Sequence, residues 1–136
     1  MNLIICVDET FGCSFFGRRQ SMDSILREKA LSLTGQKPLW MDPYSAGQFR
    51  DRMDRICVVK EYWDKVPDNG WCFFELGDPE QVLARVKCLV VFHWNRAYPA
   101  DRFFPLERIR SSAALCYSEA FAGNSHDKIT MEVYQL

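Results

Sequence analysis

A chain of 136 residues has room for one hydrophobic core, and its 48% apolar and 26% charged composition separates it from disordered segments. Seventeen Lys and Arg balance eighteen Asp and Glu, so a net charge of -1 excludes a polybasic nucleic-acid binder as the first reading. No apolar run approaches the ~20 residues that span a bilayer. The start MNLIICVDE has no basic leader, so the expectation is a single cytoplasmic domain without a membrane or nucleic-acid partner.

Leu3 to Val7 is a continuous run rich in Ile that ends in Asp-Glu-Thr-Phe-Gly, which predicts a strand buried on both faces and then a turn. After Gly17-Arg18-Arg19-Gln20-Ser21, the residues Met22, Ile25, Leu26, Ala30 and Leu33 recur at helical spacing. Ser21 is the expected N-cap of that helix, Asp23 a first-turn acid and Gly35 the stop. Pro38 to Met41 reads as a second strand, and Asp42-Pro43-Tyr44-Ser45 turns into a short polar helix reaching about Met53. Ile56 to Val59 is a third strand, Tyr62 to Asn69 a connector, and Trp71 to Leu76 a fourth strand. Asp78-Pro79-Glu80 opens a short helix carrying Val82, Leu83 and Val86, because Pro suits a first turn. Lys87 to Trp94 is the fifth strand and the most apolar. Tyr98 to Pro105 is an aromatic loop, and Ala113 to Ala120 and Lys128 to Gln135 are hairpin arms joined through Gly123, Asn124 and Ser125.

The six cysteines do not suggest a disulfide framework. Cys6, Cys57, Cys72 and Cys88 each sit in a short apolar run, and no pair forms C-x-x-C, so they read as reduced, buried thiols. His93 and His126 lie too far apart, without matching Cys or carboxylate spacing, to define a metal centre. Both read as structural, with no metal and no dense cluster of the kind a metal-dependent nuclease needs. Arg18 and Arg19 ahead of a capped helix offer cationic donors beside free N–H groups, a candidate anion site with Ser21; a solvated basic loop is the plainer explanation, since paired Arg before a helix are usually surface. Asp23 and Glu28 are the candidate catalytic carboxylates, against the plainer roles of dipole partner and surface charge. Tyr44 and Ser45 follow the second strand, where open sheets place ligands. Trp94, Tyr98, Phe103 and Phe104 form either a stacking platform or core packing under the hairpin. No G-x-S-x-G or Walker A motif occurs, and no nucleophile–base pair is visible.

K-C-L-V-V-F, A-D-R-F-F-P and S-E-A-F followed by N-S-H-D-K-I-T-M-E-V-Y resemble the closing segments of dihydrofolate reductases. LIICVDETFGCSFFG is similar to that family's first strand and glycine loop, and T-G-Q-K-P-L-W-M to the end of its first long helix and its second strand. The resemblance implies a three-layer α/β domain, a mixed and mainly parallel sheet flanked by helices and closed by an antiparallel hairpin. It also implies NADPH as cofactor, and here the residues depart. The family's Gly-Arg-Lys/His-Thr turn corresponds to Asp42-Pro43-Tyr44-Ser45, and its Gly-Gly pair before Tyr to Glu75, Leu76, Gly77 and Asp78, followed by Pro79. Carboxylates and a proline stand where phosphate donors are needed. The piece between Phe49 and Trp71 is short, the family's Trp-bearing loop becomes Gly17 to Ser21, its acid has no match beyond Asp23 or Glu28, and its strand Thr becomes Val91 or Phe92. The expectation is a retained fold without reductase activity and without a cofactor, binding a small anionic or nucleotide-like molecule through Arg18, Arg19, Ser21, Tyr44 and Ser45. Two alternatives stand beside it: an NADPH-dependent reductase of a pteridine-like substrate, and a non-catalytic interaction module such as a homodimer formed through the aromatic loop or hairpin.

Overall fold

Leu3, Ile4 and Ile5 are fully buried, and they hold the first strand at the centre of the sheet in the computed structural model, which describes residues 1–136. That strand, β1 (Asn2–Val7), pairs in parallel with β6 (Trp71–Phe73) on one side and β7 (Cys88–His93) on the other. Beyond β6 the parallel set continues through β4 (Leu39–Met41) to β5 (Ile56–Val58). Beyond β7 lie the antiparallel β10 (Ile129–Gln135) and β9 (Ala114–Phe121), giving the order β5-β4-β6-β1-β7-β10-β9. The expected mixed, mainly parallel sheet with a C-terminal hairpin is present.

Alternation along the strands divides the core in two. Ile4, Val90 and Phe92 face Leu26, Ala30 and Leu31 of α1 (Ser24–Leu33), together with Phe49. Leu3, Ile5, Val7, Leu89 and Val91 face Val82 of α3 (Glu80–Leu83) and Leu106 and Ile109 of α4 (Leu106–Arg110). Two helical layers therefore sandwich one sheet. All six cysteines are free thiols. Burial pushes Cys13 up to about 11 and Cys72 up to about 12, so both stay protonated and pack as small hydrophobes. Of the four cysteines set in apolar runs only Cys72 is fully buried, whereas Cys6, Cys57 and Cys88 are partly buried, and Cys116 is exposed.

Local structure differs from the sequence reading at several points. Asp23, not Ser21, caps α1: its backbone is extended and its carboxylate accepts from Ile25 N at 3.0 Å and Leu26 N at 3.3 Å. The polar helix after Asp42 is shorter than expected. α2 (Pro43–Ala46) passes into 3₁₀ turns over Gly47–Arg55 that kink at Phe49 and Arg52, because Phe49 alone is buried there to hold a helical face. The glycine loop and the aromatic loop contribute a second small sheet, β3-β2-β8, built from β2 (Gly12–Phe15), β3 (Arg18–Arg19) and β8 (Arg102–Phe103). Strands of two to four residues are too short to carry a periodic signal. Truncating Phe92, which is fully buried between sheet and α1, is expected to cost about 3–5 kcal/mol in urea unfolding. Ser118→Ala, on the exposed edge strand, is expected to stay within about 0.5 kcal/mol.

Candidate functional site

β1 leads to α1 on one face of the sheet, whereas β6 leads to α3 on the other, and such a reversal opens a crevice at the C-terminal ends of the strands. The β2–β3 hairpin folds across that edge. Successive residues of β3 point to opposite sides, which leaves Arg18 exposed and turns Arg19 inward. The Arg19 Nε donates to Glu75 Oε2 at 3.0 Å, its guanidinium also donates to Tyr44 O at 3.0 Å, and it lies 4.2 Å from the Tyr44 ring centroid. The Arg19 backbone N–H donates to Tyr44 Oη at 2.9 Å. Glu75 follows β6 and is buried; burial pushes its carboxyl up, and the Arg19 guanidinium opposes that rise.

A second polar cluster joins α1 to the β9–β10 hairpin. Asp23 Oδ2 lies 3.2 Å from His126 Nδ1, and both side chains are essentially out of solvent. Asn124 N and Ser125 N also donate to Asp23, at 3.1 and 2.9 Å. Burial alone would raise the Asp23 carboxyl, but the Ser125 and Asn124 N–H groups, His126 and Leu26 N outweigh it and hold the acid well below the usual carboxylate range. On the far side of the imidazole, Nε2 lies 2.8 Å from Tyr98 Oη and 3.1 Å from Ser21 Oγ, while the Trp94 ring stacks at 4.5 Å. A Cβ on Gly123 would run into the Asp23 carboxylate, so the hairpin needs glycine for this close approach. Asp8, at the end of β1, organises the neighbouring loop by accepting from Gly12 N at 2.8 Å, Thr10 N at 2.9 Å and Tyr98 N at 3.1 Å.

Beside Tyr44 a recess of about 340 Å³ opens between the ends of β4, β5 and β6, lined by Pro43, Lys60, Glu61, Trp63, Leu76 and Gly77 along with Asp42 and Tyr44. Glu61 adopts a left-handed backbone (φ 52°), a costly conformation for a non-glycine residue, where the chain turns into the Tyr62–Asp64 3₁₀ turn. Tyr62 Oη donates to Phe73 O at 2.8 Å and fixes this loop to β6.

The structure brings Arg19, Tyr44 and Glu75 together and places Ser21 with Asp23. Ser45 is buried, and its N–H caps onto Asp42 at 2.7 Å. Glu28 lies apart on the exposed side of α1, paired with Arg52. Leu76 and Gly77 line the recess, while Asp78 is exposed and accepts from Glu80 N. The aromatic group divides: Trp94 and Tyr98 flank His126, Phe104 enters the core, and Phe103 stays exposed. His93 pairs with Glu132, which also accepts from Arg110 at 2.7 Å. Sequence reasoning missed Asp8 and the recess residues Lys60, Glu61 and Trp63. The Asp-x-Thr-x-Gly turn was a usable signal for Asp8, whereas nothing local marks the others.

No family model matches the sequence, and no curated protein matches it. Among solved structures, the chain is similar to the dihydrofolate reductase from Enterococcus faecalis complexed with NADP(H) and RAB-propyl. The likeness has 14% identity and a TM-score of 0.66, over 98% of this chain and 94% of that one. The chain therefore has a dihydrofolate-reductase-like fold.

The depressed Asp23 carboxyl gives a pH dependence with a definite sign. A group lowered in the folded state adds stability that is complete above the unfolded carboxyl value of about 4 and is lost as pH falls through the folded value. Urea midpoints are expected to fall steadily below about pH 4, and Asp23→Asn is expected to be less stable at pH 7 with a shallower acid slope. An unchanged slope in that variant would contradict the assignment. Arg19→Ala leaves Glu75 buried without its partner and is expected to cost about 3 kcal/mol at neutral pH, more than Glu75→Gln, by the same unfolding measurement.

Proposed function

We propose that this protein binds a small anionic, nucleotide-like molecule at the C-terminal edge of its sheet and lacks reductase activity. One observation carries the reading: the chain's own Arg19 fills the crevice between the ends of β4 and β6, paired with Glu75 and stacked on Tyr44. A dinucleotide laid along this edge would need donors free to meet two phosphates. Arg19 is already neutralised by Glu75, Asp42 and Glu61 line the recess, and Pro79 has no N–H to offer. These residues do not fit an NADPH phosphate chain, and hydride transfer has no place in this reading.

The remaining recess suits a smaller ligand. Its 340 Å³ lies near the lower end of the ~300–1,000 Å³ common for small-molecule sites. Pro43 and Trp63 offer apolar faces for a flat ring, the Glu61 carboxylate an acceptor for hydroxyl or amino groups, and the Lys60 ammonium a partner for one phosphate. Arg18, exposed on the opposite side of the hairpin from Arg19, does not line the recess, so Lys60 is the cation this reading relies on.

Calorimetry and thermal unfolding with AMP and NADPH test this. A mononucleotide is expected to raise the melting temperature by mass action, with affinity falling about tenfold or more in Trp63→Ala and in Lys60→Ala. NADPH consumption with dihydrofolate, or tighter binding of NADPH than of AMP, would contradict the proposal. Self-association is favoured by a separate observation. Edge strand β9 has no partner on its outer side and leaves Leu115 and Tyr117 about half exposed, at 53% and 50%. Sedimentation is expected to show a concentration-dependent dimer that Leu115→Lys/Tyr117→Lys abolishes, and a wild-type monomer at all concentrations would exclude it.

A further inference from the structure

Ser21, His126 and Asp23 stand in hydrogen-bond order, and none of them lines the recess. Ser21 Oγ lies 3.1 Å from His126 Nε2, and His126 Nδ1 lies 3.2 Å from Asp23 Oδ2. We propose that Ser21 is an activated nucleophile for hydrolysis of small carboxylic esters, with His126 as its general base and Asp23 as the residue that orients the base. This does not rest on ligand binding at the recess.

The arrangement has the parts that nucleophilic catalysis needs. The side chains of His126 and Asp23 are 1% and 0% exposed, whereas Ser21 is only half-buried, so the serine stands at the outer end of the row and the two groups behind it are closed off from solvent. Asp23 is held by Ile25 N, Leu26 N, Asn124 N, Ser125 N and Ser125 Oγ, which fixes its carboxylate. An ionised carboxylate can only accept, so the Asp23 contact assigns the imidazole proton to Nδ1 and leaves the Nε2 lone pair toward Ser21. Stacking on Trp94, with an interplanar angle of 27°, sets the plane of the ring. The N–H groups of Met22 and Asp23, directly after the serine, make no hydrogen bond within the chain. They are donors left free beside the hydroxyl for a developing oxyanion. Exposed Met22 gives the alkyl part of a small ester an apolar surface beside the hydroxyl.

In the reaction, a bond forms from Ser21 Oγ to the ester carbonyl carbon while the hydroxyl proton passes to His126 Nε2. Collapse of the tetrahedral intermediate breaks the bond to the alkoxide, which takes the proton from Nε2 and leaves as the alcohol. Water then adds to the acyl carbon and gives a proton to Nε2. Oγ departs with that proton, and the carboxylic acid is released. Tyr98 Oη, at 2.8 Å from the same Nε2, competes with Ser21 for the lone pair and restrains the serine at rest.

That competition supplies a test that a merely structural latch would not pass. The full chain is treated with an alkyl fluorophosphonate, which forms a P–O bond to a nucleophilic serine as the P–F bond breaks and fluoride leaves. Adducts are mapped by mass spectrometry, with folding of each variant checked by thermal unfolding. Ser21 is expected to label roughly 100-fold faster than Ser24, which lies three residues on and contacts no imidazole. Tyr98→Phe is expected to increase the Ser21 rate several-fold, and Ser21→Ala and His126→Gln to abolish the adduct at this position. Tyr98→Phe loses a single hydroxyl, so it keeps the proposal falsifiable even where His126→Gln unfolds. Labelling of Ser21 no faster than Ser24 in both the wild type and Tyr98→Phe would overturn the proposal.

Discussion

The carboxylate of Asp23 accepts hydrogen bonds from both ends of the chain: Ile25 and Leu26 in the first turn of α1, and Asn124, Ser125 and His126 in the hairpin loop 101 to 103 residues away. A buried anion without those donors would be costly, so the helix start and the hairpin loop must occupy one place together. Several features follow from that requirement. Gly123 has no side chain because the carboxylate passes over it. Ser21 is released from the capping role and turns toward the imidazole. The hairpin β2–β3, which immediately precedes Asp23, is anchored at its exit, and its entry is anchored by Asp8 at the end of β1. Fixing both feet of the hairpin directs Arg19 across the sheet edge to Glu75.

The sheet edge is consequently filled by the protein itself. Arg19 brings charge and a planar guanidinium stacked on Tyr44 into a crevice that the topology would otherwise leave open, and Glu75 supplies the opposite charge from the strand across it. Ion pairs this buried are poor sources of net stability, because desolvation offsets most of the attraction. What this pair does is position: it ties β3 to the loop after β6 and to the start of α2 in one geometry. The recess beside it then keeps only the space between Tyr44, Trp63 and Gly77. The solved reductase that shares this fold was complexed with NADP(H). Here the same architecture ends its strands in carboxylates and a self-satisfied arginine.

Much of the frame was legible in the sequence because it depends on local apolar patterning. Leu3, Ile4 and Ile5 in the first run, and Leu89 to Phe92 in the run from Lys87 to Trp94, are buried from both faces and could hardly be anything but central strands. The hairpin arms and Gly35 were equally plain. Helix capping is ambiguous in the sequence between two residues two positions apart, since both Ser21 and Asp23 have suitable side chains and only the tertiary partner His126 separates their roles. The small sheet is not legible in the sequence because its strands are held by pairing with β8, some ninety residues downstream, rather than by their own pattern. Of the site, Glu75, Arg19, Ser21, Asp23 and Tyr44 each stood out singly. Their pairings join residues 25, 56 and 105 positions apart and have no signature in a single chain.

The most direct measurement is the NMR signal of the Arg19 Nε–H, which donates to Glu75 at the mouth of the crevice. A guanidinium locked in this pair is expected to give a resolved resonance protected from solvent exchange, unchanged when NADPH is added to saturating levels for an ordinary reductase. Loss of protection, or movement of that resonance to a bound position as NADPH is titrated, would contradict a crevice filled by the chain's own arginine.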